Sequence, residues 1–249
     1  MATLGVAASA DVFVDSFDDP SLPGWGLDVD ANHSVSVVRG KVVMTKNAGQ
    51  PGDHAYMTLC GKRLVGDFTI TVKATRQAAG SAGVATGFEG PPAGFADIFF
   101  FSTGSINAVM CSSGCTSGVS QTGTSAATFK LNRTGSTMTM SYSLGAGDVV
   151  VHTITKPELA GPMSVTLFQL DEVNSGATYS VTYDDFVVDG TLAPTSPDFN
   201  GDGAVDGADL ALVLGAWGEC PVGCCAEDSN GDGIIDGADL ATVLGGWTG

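Results

Sequence analysis

Near the C-terminal end of this chain, aspartate returns at fixed intervals. Residues 198–217 (DFNGDGAVDGADLALVLGAW) and 228–247 (DSNGDGIIDGADLATVLGGW) align at a spacing of 30 and agree at 15 of 20 positions, which marks an internal repeat. Counted from its first Asp, each copy has Asp at positions one, five, nine and twelve, Asn at three and Gly at six. The first copy thus presents Asp198, Asn200, Asp202, Asp206 and Asp209, and the second Asp228, Asn230, Asp232, Asp236 and Asp239. A hard cation such as Ca2+ takes about six to eight oxygen ligands, and a twelve-residue loop supplies them by turning alternate residues inward around a sharp glycine turn. Gly203 and Gly233 stand at that turn, and position seven, Ala204 or Ile234, contributes only its backbone carbonyl. The spacing therefore predicts two bound Ca2+ ions, one per copy, with Asp in the last ligand place where Glu is usual.

The charge distribution points the same way. The chain has 249 residues, with 27 acidic against 10 basic side chains and a net charge of −17. No Lys or Arg follows Lys156, while residues 198–249 hold eight Asp and two Glu. Such a segment repels itself unless a cation binds it. The same balance excludes unaided binding to nucleic acid, which needs clustered Lys and Arg to neutralise phosphates. No apolar run approaches the roughly 20 residues of a membrane helix, so no transmembrane segment is expected.

The elements that must position these groups fall into two kinds. After position twelve each copy runs Asp-Leu-Ala-x-Val-Leu-Gly-x-Trp. This predicts a short helix with Leu210, Val213, Leu214 and Trp217 on one face, and Leu240, Val243, Leu244 and Trp247 on the face of its twin. The apolar residue at position eight, Val205 or Ile235, would let the two loops pair back to back. Upstream, short β-prone runs at residues 12–17, 34–38, 41–45, 55–59, 68–74, 84–88, 97–101, 106–110, 128–131, 138–143, 149–154, 164–169 and 179–188 are separated by turn signals. Arg39-Gly40 reads as a tight hairpin turn. Alternation is clear in residues 68–73 and 138–143, so each of these has one wet and one buried face. Residues 112–128, rich in Ser, Thr and Gly, read as a mobile loop. Without a helical period before residue 198, about thirteen strands imply an all-β, two-sheet sandwich followed by a small α module. The expected divisions are residues 1–10, a remnant of a signal peptide; 11–190, the sandwich; 191–197, a linker; and 198–249, the tandem calcium-binding module.

One loop and one helix, twice, resemble the type I dockerin module of secreted bacterial proteins, in the variant with cysteines between the copies, here Cys220, Cys224 and Cys225. The resemblance implies a calcium-stabilised fold. Dockerins that dock onto cohesins present hydroxyl residues at loop positions ten and eleven and basic residues further along, whereas this chain has Gly207-Ala208, Gly237-Ala238, Leu214-Gly215 and Leu244-Gly245. Cohesin docking is therefore not implied, and the tail is left with an apolar surface for self-association or another protein partner. A second resemblance is carried by Asp15-Ser16-Phe17 with Trp25, by residues 66–70 (GDFTI), 131–135 (LNRTG) and 181–186 (VTYDDF). These look like the concanavalin A-like lectin and glucanase jelly roll, a family in which the first and last strands lie together and whose members bind glycans.

Glycoside hydrolysis needs two carboxylates about 5–10 Å apart across the scissile bond. Glucanases of this fold carry them as closely spaced Glu and Asp on one strand, and the sandwich has only Glu89, Glu158 and Glu172, none so arranged. Adjacent pairs, Asp184-Asp185 and Asp171-Glu172, should point to opposite faces. No catalytic residue is assigned. His33, His54 and His152 are scattered, and surface placement is expected for each. Of the aromatics, Phe95, Phe99, Phe100, Phe101 and Tyr142 are weak candidates for stacking a sugar ring, with core packing the ordinary role and Trp25 more firmly core. Asn32-His33-Ser34 and Asn132-Arg133-Thr134 match the glycosylation sequon, informative only in a host that uses it.

Residues 1–10 (MATLGVAASA) end in an Ala-Ser-Ala before Asp11, as at a signal-peptidase site. The alternatives are an ordinary small-residue terminus or an apolar strand that adds to a neighbour's sheet. Six cysteines suit an oxidising compartment. Three lie in the sandwich (Cys60, Cys111, Cys115) and three in the tail, so full oxidation within one chain requires a bridge between the two parts. Cys111 and Cys115 enclose only Ser-Ser-Gly and can pair. Cys220 would take Cys224 or Cys225, and Cys60 the one left over; a free thiol on each side, or a bridge between molecules, satisfies the same parity. The sequence thus points first to a secreted or cell-surface protein that is not an enzyme, with a lectin-like sandwich for binding or display and a calcium-folded tail for attachment. A structural subunit of an extracellular assembly or filament comes second, and a glycoside hydrolase of the glucanase jelly-roll type third.

Overall fold

The computed structural model describes residues 11–47, 54–77, 80–88, 93–101, 104–170, 178–200, 202–220 and 224–249. The expectations placed on residues 1–10, Glu89, Asp171 and Glu172 lie outside the described residues. In chain order the strands are β1 Asp11–Asp15, β2 Trp25–Val29, β3 His33–Val37, β4 Val42–Lys46, β5 His54–Leu59, β6 Lys62–Gln77, β7 Ser81–Phe88, β8 Gly94–Phe100 and β9 Ser105–Cys111. They continue as β10 Cys115–Gln121, β11 Ala126–Thr134, β12 Thr137–Ser143, β13 Asp148–Thr155, β14 Met163–Leu170 and β15 Tyr179–Pro194, with a 3-10 turn at Pro157–Ala160 before β14. The tail adds α1 Gly207–Gly215, β16 Gly218–Glu219, β17 Ile234–Ile235 and α2 Gly237–Gly245.

The pairings make two antiparallel layers. One runs β10-β9-β8-β7-β14-β5-β2. The other runs β13-β12-β11-β6-β15, and the far edge of β15 is shared by β4, backed by β3, and by β1. A single bridge, Met163 to Leu64, joins β14 to the long β6. This is a jelly-roll sandwich, as expected, and its first and last strands do lie together, Asp11 opposite Gly190 and Asp15 opposite Phe186.

Period-two alternation explains the core. Phe68, Ile70 and Val72 of β6 turn inward and meet Leu131 and Phe129 of β11, Met138 and Met140 of β12 and Phe100 of β8. Each such side chain contributes roughly 1.5–3 kcal/mol on burial. At one end Phe17, Trp25 and Phe186 form a ring cluster with centroids 5.1–6.4 Å apart, and the Trp25 indole donates to Asp15 Oδ2 at 2.7 Å. Part of what carried the jelly-roll resemblance, Asp15, Phe17, Trp25 and Phe186, therefore converges on one spot. Tyr183 ties the layers from within: its buried hydroxyl donates to Gly83 O (3.0 Å) and Phe168 O (2.6 Å), and burial pushes its pKa well above the usual phenol value. Arg39 and Gly40 both have positive φ, and Val38 N donates to Lys41 O, so the expected tight hairpin is present.

Several expectations are corrected. Residues 112–128 are not a loop throughout, because β10 pairs with β9 along its whole length. It is an edge strand of small polar residues exposed on every second position, and it offers no hydrophobic run to read. Its Gly118 lies so close to β13 that a Cβ there would meet Val151 O at 2.0 Å. The Asp184-Asp185 alternation is broken by a bulge in which Asp185 has φ 48°; Asp184 pairs with Lys41 and Asp185 with Lys73. Nor are the histidines simply on the surface: His33 is buried, with Nδ1 2.9 Å from Asp30 Oδ1, and His54 and His152 are half-buried.

All six cysteines are paired, as Cys111–Cys115, Cys220–Cys225 and Cys60–Cys224. The last bridge crosses from the sandwich to the tail, as the parity required. In the tail, Val205, Val213, Ile235 and Val243 form a small core of their own. The loops do not pair back to back. Each position-eight residue instead bonds to the chain beyond the other copy's Trp: Ile235 pairs with Gly218, and Val205 exchanges bonds with Thr248. The helical faces also bury less than expected. Val213 and Val243 go inside, whereas Leu214 (54% exposed) and Trp217 (51%) stay outside with Leu244 and Trp247. Each helix has nine residues, too short to carry all four apolar positions onto a core of this size.

Candidate functional site

The outer face of the first layer is hollowed into a cavity of about 400 Å³ that crosses β2, β5, β14, β7 and β8. The hollow follows from side-chain size. Its floor is built from Thr58, Ala85, Gly87, Ser164 and Thr166, with the Thr58 and Thr166 hydroxyls 2.9 Å apart across β5 and β14. Larger groups rise at the sides: Phe95 and Asp97 from β8, and Tyr56 and Asp28 from β5 and β2. Phe95 is 41% exposed, an unusual exposure for a strand phenylalanine, whereas Phe99, Phe100 and Tyr142 are buried. Of the aromatics weighed from the sequence, only Phe95 faces this hollow.

Two carboxylates reach it. Asp97 Oδ1 accepts from Val109 N at 3.2 Å, and Asp28 Oδ1 lies 3.3 Å from His54 Nε2, whose ring stacks on Tyr56 with centroids 4.6 Å apart. The register places Asp97 opposite Ala85, then Thr166, Thr58 and Gly26, so Asp28 is four strands away and two residues along. Four strand spacings amount to about 19 Å, well beyond the roughly 5–9.5 Å at which two carboxylates act on one glycosidic bond. Asp28 and Asp97 therefore lie too far apart to act as a pair on one such bond. Among the described lining residues there is no Lys or Arg. Sequence reasoning missed both acids, since β2 was not assigned and Asp97 was placed at the start of a strand. The alternation of Phe95, Asp97 and Phe99 was the available signal.

Other candidates resolve into structural roles. Glu158 accepts from Ser112 Oγ at 2.9 Å, and Lys156 Nζ donates to the same hydroxyl, which pins the disulfide-closed β9–β10 turn to the 3-10 turn. The Glu158 backbone N–H, Ser112 and Lys156 together hold its carboxyl below the usual 4.5. Asn132 of the second sequon donates to Phe68 O and Thr69 Oγ1, and the first sequon has its His33 buried.

The acidic loops have nearly identical internal bonding. In the second, Asp228 accepts from the N–H groups of Gly231, Asp232 and Gly233, Asn230 Oδ1 from Asp232, and Asp232 Oδ1 from Ile234. Asp236 accepts from Ala238 N and caps α2, while Asp239 Oδ2 accepts from Asp236 N and its Oδ1 from Ser229. Asp198, Asn200, Asp202, Asp206 and Asp209 repeat this pattern ahead of α1. The backbone N–H groups, that of Asp206 foremost, hold the Asp209 carboxyl below its usual range, whereas burial raises that of Asp228. Among the described residues no three His, Cys, Asp or Glu side chains form a ready metal cage. The donor set is nonetheless one of oxygens, and the tail contains no basic side chain to balance its buried Asp209, Asp228 and Asp239. This chemistry suits a hard divalent cation.

No protein-family model matches the sequence, and no curated protein matches it. Solved structures match the fold. A β-glucanase from Bacillus licheniformis is 14% identical with a TM-score of 0.55, over 72% of this chain and 98% of that one. The catalytic domain of an endo-1,3-β-glucanase (laminarinase) from Thermotoga petrophila is 13% identical, TM-score 0.56, over 75% and 99%. A non-specific endo-β-1,3(4)-glucanase of glycoside hydrolase family 16 is 12% identical, TM-score 0.57, over 77% and 94%. At this identity the likeness establishes a glucanase-type jelly roll. It also overturns the order of functions read from the sequence, in which a non-enzymatic sandwich for binding or display stood first and hydrolysis last, because the neighbours on this fold are glycoside hydrolases. That order rested on finding no closely spaced pair of acids on one strand. Among the described residues no helix is long and apolar enough to cross a membrane.

Proposed function

We propose that the protein acts on a neutral glycan, laid across the hollow of the first sheet, as a glycoside hydrolase. The observation that carries this is the hollow itself: a floor of small hydroxyl and glycine positions, the exposed Phe95 ring and Tyr56 at its sides, and carboxylates as its charged groups. Aromatic rings beside a sugar face supply apolar contact, and hydroxyls and carboxylates supply bonds to sugar hydroxyls. Asp28 and Asp97, without a cation beside them in the lining, disfavour uronate or sulfated chains. Asp97 is the carboxylate assigned to the reacting bond. A two-carboxylate mechanism takes its second acid from elsewhere than Asp28. Purified protein should release reducing ends from a β-1,3-glucan or mixed-linkage β-glucan. Asp97→Asn should lose about 100-fold or more of that rate, the range for removing a general acid or base, with binding of the glycan retained. Absence of both turnover and binding on a panel of neutral glycans, from folded protein, would sink this reading.

The tail supports a second assignment. We propose that residues 198–249 are a dockerin-like module that binds two Ca2+, with Asp198, Asn200, Asp202, Ala204 O, Asp206 and Asp209 holding one ion and Asp228, Asn230, Asp232, Ile234 O, Asp236 and Asp239 the other; the linker expected at 191–197 is shorter, because β15 stays paired with β6 as far as Pro194. Calcium would supply the positive charge that the tail lacks. The three disulfides suit an oxidising compartment, and an extracellular location follows from that reading. Calorimetry should count two ions; a count of zero would refute the assignment.

A further inference from the structure

The two loops share a sequence but not their surroundings. The second is pressed against the turn between β5 and β6. Gly61, at φ +62°, lies so near it that a Cβ would stand 2.3 Å from Gly231 N, and a Cβ on Gly231 would stand 2.4 Å from Cys60 O. Cys60 is bonded to Cys224, four residues before Asp228, and Thr195 N donates to Gly61 O at 3.2 Å. Asp228 is accordingly 1% exposed and Ser229 is buried, whereas their counterparts Asp198 and Phe199 remain partly exposed. Asp228 accepts from the N–H of the same Gly231 that abuts Gly61, at 2.7 Å. One residue thus faces the cation place on one side and the junction on the other.

We infer that the second loop, once it holds Ca2+, is the docking element that fixes the tail on the β5–β6 turn, so that cation binding there and closure of the junction are one coupled event while the first loop binds independently. The inference rests on the calcium assignment proposed above. Its physical basis is the fit between glycines. Four aspartates without a cation repel one another and expand the loop, and a contact with no room for a methyl group does not survive a shift of Gly231. Coupling of this kind is reciprocal: whatever opens the junction must weaken the cation to the same degree that losing the cation opens the junction. The strand that ends just before Cys60 also carries Tyr56 and Thr58, so the coupled turn lies at the end of a strand of the hollow.

Two measurements on the full chain test this. In the Cys60→Ser/Cys224→Ser variant, titration calorimetry should show one of two Ca2+ sites weakened at least fivefold and the other unchanged. Adding Asp232→Asn should remove the weakened site, and adding Asp202→Asn the unchanged one. In the disulfide-intact protein, hydrogen exchange in peptides covering residues 58–62 should rise when EDTA is added. The rise should already be present with Ca2+ in Asp232→Asn and absent in Asp202→Asn. Two sites that weaken equally or not at all, or exchange at 58–62 indifferent to chelator, would overturn the coupling while leaving the calcium assignment intact. A count of no ions would overturn that assignment itself.

Discussion

Replacing Arg133 with Met should be the most damaging single change in the sandwich outside the hydrophobic core. Arg133 is 1% exposed, and its guanidinium donates through Nε to Gly66 O (2.7 Å), through Nη2 to the same carbonyl, and through Nη1 to Leu159 O (3.0 Å) and Gly161 O. It also lies over the Phe68 ring, 4.7 Å from the centroid, and desolvation lowers its pKa from the usual value. Methionine fills much of the volume but leaves three carbonyls short of a donor, that of the buried Leu159 among them. Charge-assisted bonds contribute about 1.5–3 kcal/mol each, and loss of one partner from a buried charged network costs about 3–5 kcal/mol in all. At roughly 2–4 °C per kcal/mol for a chain of this size, the melting temperature should fall by about 6–20 °C. The assay is urea denaturation with disulfides intact and calcium constant, read as a shift in midpoint at unchanged slope. Arg133→Lys should recover less than half of the loss, since an ammonium cannot span Gly66 on one side and the 3-10 turn on the other. A loss below about 1 kcal/mol for Arg133→Met would refute the claim that this guanidinium, rather than packing, holds the β11–β12 hairpin to the turn ahead of β14.

Tyr183→Phe removes the two inter-layer hydrogen bonds without leaving a cavity, and should cost about 1–3 kcal/mol in the same denaturation assay. The depressed pKa of Glu158 means its contribution is fully present above the usual 4.5 and is lost as pH falls through the lower folded value. Exchange in peptides covering residues 112–118 should therefore increase on acidification below about pH 4.5, and Glu158→Gln should show the increase already at neutral pH. Phe95→Ala should weaken glycan binding about tenfold with little effect on stability, because an exposed ring in the hollow packs on nothing that it holds in place.

Period and punctuation in the sequence were enough for the two-sheet sandwich, for most of its strands and for the helix after each acidic loop, because alternation and caps are local signals. The Arg39-Gly40 hairpin and the need for a bridge between sandwich and tail were legible from turn chemistry and cysteine parity, and the pairing of the first and last strands was implied by the jelly-roll resemblance. The hollow was not legible. Its floor and sides are single residues from five strands, and which of them share a face in register depends on pairings that span more than a hundred positions, as between Thr58 and Thr166. Strand β10 was hidden because an edge strand of Ser, Thr and Gly carries no hydrophobic pattern, and β2 because it is five residues long with two of them glycine and aspartate.

The loops show the division most clearly. Spacing alone determined the internal bonding that both copies share, since a twelve-residue loop around a glycine turn is a local object. It could not distinguish the copies, which agree at 15 of 20 positions. Tertiary structure decided that Asp228 is buried and Asp198 is not, through a contact between Gly61 and Gly231 and a disulfide that joins residues 164 positions apart. Loop bonding is written in neighbouring residues, whereas burial is set by whatever distant segment is folded against them.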